Sequence, residues 1–331
     1  MSEKPRLLVL QSRKVNFDLP TYVESDVVRE HFDVTKSHKI KGNPDLIYTQ
    51  AYAPFYREIM GCSVPVVMHF GGSPWLEFVG DRLSRVVSMA RKARLVVCNS
   101  RFLEGVFRDN LGTSNIMHLP DGLWGLDHTP IGPMPGRFGH KYDYSVRNDE
   151  FLVVMSIIMA DNRIKRNKWR GVPIFLEAVK DIAKEHRVRF LCVGRGSEDF
   201  PHLDRWREEY NYHFLPSHHL DEGVDRWPEI LRSADMFVHP GTFDCWPRVV
   251  ADAALTGLPG IVFDATGNAE VSEAYPAVEP DDVVGIRREF MNLLESETQR
   301  EVNGARALQD ALQRTREHRG DYARILLEVL K

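Results

Sequence analysis

MFVHPGTFDCWPRVVADAALTGLPGIVF, residues 236–263, reads as a strand, a loop, a helix and a second strand. Residues 236–239 (MFVH) and 260–263 (GIVF) are short apolar runs with β-branched members, the pattern of strands buried on both faces of a parallel sheet. Between them Pro247 suits the first turn of a helix, where its missing N–H costs nothing, and residues 249–256 continue that helix. Gly257 and Pro259 close it. Strands joined by a helix in this way form a parallel sheet with right-handed crossovers.

The same alternation extends in both directions. Toward the N-terminus, residues 6–11, 45–49, 64–69, 94–98 and 116–119 read as strands. Residues 80–92 and 100–110 read as helices, the second opened by Ser100 as an N-cap. In the second half, residues 150–157, 188–193 and 211–215 join the two strands above, with helices at 172–185 and 227–233. Residues 129–148 hold three Pro and three Gly with no apolar period and read as a linker. The expected fold class is α/β, with two doubly wound domains whose sheets face each other across a cleft. Their ligands are expected at the carboxyl ends of the strands.

Length agrees with this division, since 331 residues suit two domains of about 150. No run approaches the roughly 18 apolar residues of a spanning helix, and the N-terminus has no small-residue cleavage site. Cys62, Cys98, Cys192 and Cys245 are never paired as CxxC, which points to reduced thiols in a cytoplasmic protein. The net charge of −4 is split unevenly: residues 1–145 carry 18 Lys and Arg against 15 Asp and Glu, and the remainder 25 against 32. The small basic excess in the first half hints at an anionic partner there, such as DNA or the inner face of a membrane, with peripheral association.

Asp244 lies in the loop before the 249–256 helix and Asp252 about one and a half turns inside it. A helix N-terminus carries free N–H groups and about half a positive charge, which suits a diphosphate. Carboxylates beside it accept hydrogen bonds from sugar or ribose hydroxyls. Asp244 as a plain cap and Asp252 on a solvated face satisfy the same spacing. The stretch resembles the Glu-x7-Glu signature of retaining GT-B glycosyltransferases, family four, with Asp at both Glu positions. The flanking Pro240-Gly241 and Ala254-Leu255-Thr256-Gly257-Leu258-Pro259 are similar to that family too. So, in order, are Met68-His69-Phe70-Gly71-Gly72, Asn99-Ser100, Leu119-Pro120-Asp121-Gly122, Val193-Gly194-Arg195-Gly196, Ser233–Val238 as SADMFV, and Thr266-Gly267-Asn268-Ala269-Glu270.

The resemblance implies roles residue by residue. Asp244 would contact the transferred sugar and Asp252 the ribose of the donor. Asp is shorter than Glu by about 1.5 Å of reach, so the backbone must sit closer or a water intervene. Arg163 and Arg170 would clamp the diphosphate, with Lys165 and Lys168 as competitors; an Arg fork binds two phosphate oxygens at once. A solvated cationic loop is the other reading of that run. Gly194, Cys245, Trp246, Arg248 and Val249 fall on the donor side. His69 would meet the donor sugar from the first domain, although a His at a strand end also serves structure. The first loop lacks the family's Gly pair and carries Arg13 and Lys14, which with Gly71 and Gly72 fall on the acceptor side.

The implied domains are 1–145 for the acceptor, 146–310 for the nucleotide sugar, and 311–331 as a helix crossing back to the first domain. The implied activity is retaining transfer of a hexose from a UDP- or GDP-sugar to a glycan, lipid or hydroxymethylated DNA base. No cofactor and no metal are expected, because Asp-x-Asp is absent and His213, His218, His219 and His239 lack convergent spacing. A Gly-x-Ser-x-Gly elbow is absent, which excludes an esterase. Gly194-Arg195-Gly196 has no third Gly, which excludes a dinucleotide-dependent oxidoreductase. A sugar-nucleotide epimerase and a non-catalytic sugar-nucleotide-binding partner protein remain as alternatives.

Overall fold

The structure is a computed structural model and describes residues 3–10, 26–50, 55–70, 81–110, 112–120, 150–156, 171–194, 203–216, 226–242, 244–318 and 321–331. The chain divides into two compact units, residues 1–125 with 313–331, and residues 126–312. The boundary expected after residue 145 lies outside the described residues.

The first unit is built on β1 (Arg6–Leu10), β2 (Asp33–Ser37), β3 (Leu46–Thr49), β4 (Val66–Phe70), β5 (Leu95–Cys98) and β6 (Ile116–His118). They form one six-stranded parallel sheet in the order β2-β1-β3-β4-β5-β6. β1, β3 and β4 are buried along nearly their whole length because helices cover both faces, as their continuous apolar runs require. On one face Leu7, Val9, Tyr48, Val67 and Val97 pack with Tyr322, Ile325 and Leu326 of the C-terminal helix Asp321–Leu330. Ser100 caps the helix Arg101–Gly105, its Oγ accepting from the Leu103 N–H at 3.2 Å.

The second unit contains β7 (Phe151–Ser156), β8 (Val188–Gly194), β9 (Tyr212–Pro216), β10 (Met236–His239), β11 (Gly260–Phe263) and β12 (Ala277–Val278). Again all pairs are parallel, in the order β12-β11-β10-β7-β8-β9. One face is covered by the helices Gly171–Glu185 and Val283–Glu295, whose Phe175 and Phe290 meet Phe190 of β8 in a three-ring cluster with centroids 5.7–6.3 Å apart. Asp235, in the motif before β10, serves the sheet itself, since its Oδ2 accepts from the Leu152 N–H at 2.7 Å and ties β10 to β7.

Two strands escape a reading for apolar runs. β2 (DVTKS) is an edge strand with mostly exposed side chains, and β12 has two residues. Each exists because a neighbour offers a free row of backbone groups, and neither announces itself by composition. Pro247 sits one place earlier than expected, as the N-cap of Arg248–Leu255. The far end of that helix forms a Schellman motif: Leu258 N–H reaches Ala253 O at 3.2 Å, Gly257 N–H reaches Ala254 O at 3.0 Å, and Gly257 has φ +69°.

Candidate functional site

In the second sheet, the chain leaves β7 toward β8 and returns from β9 to lay β10 on the other side of β7. Doubly wound sheets bind ligands at such a reversal, outside the carboxyl ends of the strands that flank it, here β7 and β10. Gly171 begins the first described helix after β7. A Cβ placed on it would lie 1.4 Å from the Pro240 carbonyl oxygen, so only glycine lets this helix start against the end of β10. The first turn of that helix carries no acidic residue to offset its positive end.

From the end of β10, residues 240–247 lead into Arg248–Leu255, and the loop after β11 holds this segment from the side. Thr266 Oγ1 donates to the Asp244 carbonyl at 2.5 Å, and Asn268 Nδ2 donates to the Gly241 carbonyl at 2.5 Å. Thr266 does so from φ +60°, a left-handed backbone that a β-branched residue rarely adopts. The Asp244 carboxylate turns inward to its own loop, Oδ1 accepting from the Trp246 N–H at 3.4 Å. Both main chain and side chain of Asp244 are thus fixed before any ligand arrives.

Asp252 sits in the second turn of the helix, part-buried, with Trp227 Nε1 donating to its Oδ2 at 3.0 Å. Burial pushes this carboxyl up to about 6, against the opposing pull of the Arg248 cation and the Trp227 N–H. Among the other donor-side expectations, Cys245 and Trp246 are buried, Arg248 is exposed, Val249 is part-exposed, and Gly194 is the buried last residue of β8. Trp227 and Thr266 received no role from the sequence. Trp227 lies 25 positions from its partner, a separation no spacing rule detects.

His69 lies in the first unit. β4 runs one residue beyond the expected strand, to Phe70, so His69 is inside the strand instead of at its tip. Tyr48 pairs with Val67 in the parallel register, which places Tyr48, Gln50, Val67 and His69 on one face. That face is covered by the C-terminal helix. His69 is 0% exposed; its Nδ1 meets Tyr48 OH at 2.5 Å and Gln50 Nε2 at 3.1 Å, and its Nε2 meets Tyr322 OH at 3.5 Å. An amide nitrogen only donates, so Nδ1 accepts and the ring proton resides on Nε2, facing Tyr322.

Arg163, Lys165, Lys168 and Arg170 of the expected clamp, and Arg13, Lys14, Gly71 and Gly72 of the expected acceptor side, lie outside the described residues. Among the described residues no group of three or more His, Cys, Asp or Glu is placed to hold a metal ion. No described helix is long and apolar enough to cross a membrane.

Residues 156–296 match the family model of Glycosyl transferases group 1. No curated protein matches the chain by sequence. Solved structures match over nearly the whole chain. HepE from Anabaena, in complex with UDP and glucose, is 17% identical with a TM-score of 0.72, covering 98% of this chain and 100% of its own. Sucrose-phosphate synthase from Thermosynechococcus elongatus is 13% identical with a TM-score of 0.69, covering 99% of each chain. A glycosyltransferase from Rickettsia africae is 13% identical with a TM-score of 0.67 over the full length of both. With two parallel six-stranded sheets flanked by helices, the chain has the GT-B fold of these structures.

Proposed function

We propose that the chain is a retaining glycosyltransferase that moves a hexose from a nucleotide diphosphate sugar to an acceptor hydroxyl. The observation that carries this reading is the placement of Asp244 and Asp252 on the segment that leaves β10 at the switch point, within the part that matches the glycosyltransferase family model. UDP is favoured over GDP because HepE, similar over the whole chain, is solved with UDP and with UDP-glucose. In this reading Asp244 orients the transferred sugar, Asp252 accepts from the ribose hydroxyls, and Arg163 and Arg170 hold the diphosphate without a metal. The bond from C1 to the diphosphate oxygen breaks as the acceptor oxygen bonds C1 on the same face. The acceptor proton passes to the leaving diphosphate. An anionic acceptor suits the basic excess of residues 1–145.

The test is incubation with UDP-glucose and GDP-mannose across an acceptor panel, reading nucleotide release by mass spectrometry and product anomer by NMR. Slow UDP release without acceptor and an α-linked product from an α-linked donor are expected; a β-linked product sinks the retaining mechanism. The Asp-for-Glu change at both carboxylate positions favours a second reading, a sugar-nucleotide-binding partner protein without catalysis. Calorimetric binding with no turnover anywhere in the panel decides for that one.

A further inference from the structure

The shortened carboxylate at 252 comes with a partner that the resemblance does not assign. Trp227, on the helix Arg226–Ser233, donates its indole N–H to Asp252 Oδ2 at 3.0 Å. A carboxylate has about four lone-pair sites on two oxygens, so one indole donor fixes its rotation and leaves the other oxygen able to accept. Among the described residues nothing donates to Oδ1. Both side chains are part-buried, where a directed charge-assisted hydrogen bond is stronger than in water. We propose that Trp227 is the positioning residue of the nucleotide site: it holds Asp252 by Oδ2 and presents Oδ1 to the ribose hydroxyls of the donor. The inference rests on the nucleotide-sugar reading above.

The bond also tunes charge. Burial disfavours the Asp252 carboxylate, while the Trp227 N–H and the Arg248 cation favour it; Arg248 is the charged group whose field acts there among the described residues. Loss of the N–H therefore leaves a carboxylate that is both less ionised and free to rotate.

The test uses the full chain and UDP-glucose, whose diphosphate has no proton to exchange near pH 6. Gln and His carry a terminal N–H at the same number of bonds from Cβ as the indole, whereas Phe keeps the ring and loses the donor. Trp227→Phe should bind UDP-glucose about tenfold more weakly than wild type, the scale of one lost bond to a charged group. Trp227→Gln or Trp227→His should recover most of that loss. In the unliganded wild-type chain, the Trp227 indole N–H resonance should titrate with a midpoint near 6, and saturating UDP-glucose should move that midpoint down. Equal binding by Trp227→Phe and wild type overturns the proposal. So does a Phe variant that binds while the Gln variant fails, which would make Trp227 an apolar platform. An indole resonance that stays still while the Asp252 carboxyl resonance itself titrates overturns it without any variant. Absence of binding of both UDP-glucose and GDP-mannose by wild type is a different failure, that of the nucleotide-sugar reading itself.

Discussion

Thr266 Oγ1 donates to the carbonyl oxygen of Asp244 at 2.5 Å, and it does so from a left-handed backbone with φ +60°. The loop after β11 thereby holds the loop after β10 at the residue expected to meet the transferred sugar. A β-branched residue in this conformation costs about 1–3 kcal/mol, and the hydrogen bond returns about 1 kcal/mol. Thr266→Ala keeps the strain and loses the bond, while Thr266→Gly loses both. Thermal melts should therefore rank Thr266→Ala below Thr266→Gly, with the Gly variant within about 1 kcal/mol of wild type. Both should lower turnover more than donor affinity, because both release Asp244. Equal stability of the two variants would show that φ at 266 carries no strain.

Gly171 starts its helix where any Cβ would lie 1.4 Å from Pro240 O. Gly171→Ala must push the helix from the end of β10, and overpacking of this kind destabilises by about 3 kcal/mol. Denaturant unfolding should show that loss, together with weaker donor binding since the helix end moves. A Gly171→Ala variant as stable as wild type contradicts the contact.

The two carboxylates should separate in kinetics. Asp244→Ala is expected to lower kcat by about 100-fold with little change in donor KM, the pattern of an interaction made in the transition state. Asp252→Ala is expected to raise donor KM by about tenfold, the scale of lost hydrogen bonds to a charged group. Equal and small effects from both would mean that neither meets the donor.

The pH dependence follows from Asp252, whose carboxyl is raised from 3.8 to about 6. Between those values the folded chain holds a proton that the unfolded chain has released, so stability falls as pH rises through the window. Asp252→Asn should accordingly be more stable than wild type at pH 8 and equal to it below pH 4, measured by melts across pH. Donor binding runs the other way, because the ionised carboxylate accepts better. Wild-type affinity for UDP-glucose should rise with pH up to about 6 and then level, and Asp252→Asn should abolish that slope.

Tyr322, Ile325 and Leu326 of the C-terminal helix are buried against β1, β3 and β4. Removing residues 319–331 uncovers that face, at about 1.5–3 kcal/mol for each large side chain lost. The truncated chain should lose about ten degrees or more in Tm and bind a hydrophobic dye. Tyr322→Phe is the milder test: it should leave the fold intact and shift the His69 Nε2 nitrogen resonance, since the partner of that N–H is gone.

Periodicity was enough to locate the central strands, because a strand buried on both faces must be apolar throughout and short. β10 and β11 occupy the residues that their apolar runs predict, and Gly257 closes the helix between them through its positive φ. Local chemistry of this kind is written in neighbouring residues and survives without knowledge of the rest. β2 and β12 are not, since an edge strand takes its existence from the strand beside it. The site divides along the same line. Asp244 and Asp252 became candidates through a resemblance carried by a contiguous motif, since their spacing alone also suits a plain cap and a solvated face. Tertiary structure alone decided that Trp227 holds Asp252, that Thr266 holds Asp244, and that His69 faces Tyr322 inside a core. Each of those contacts joins residues from different elements, and hydrogen bonding at that distance along the chain leaves no period for a sequence to show.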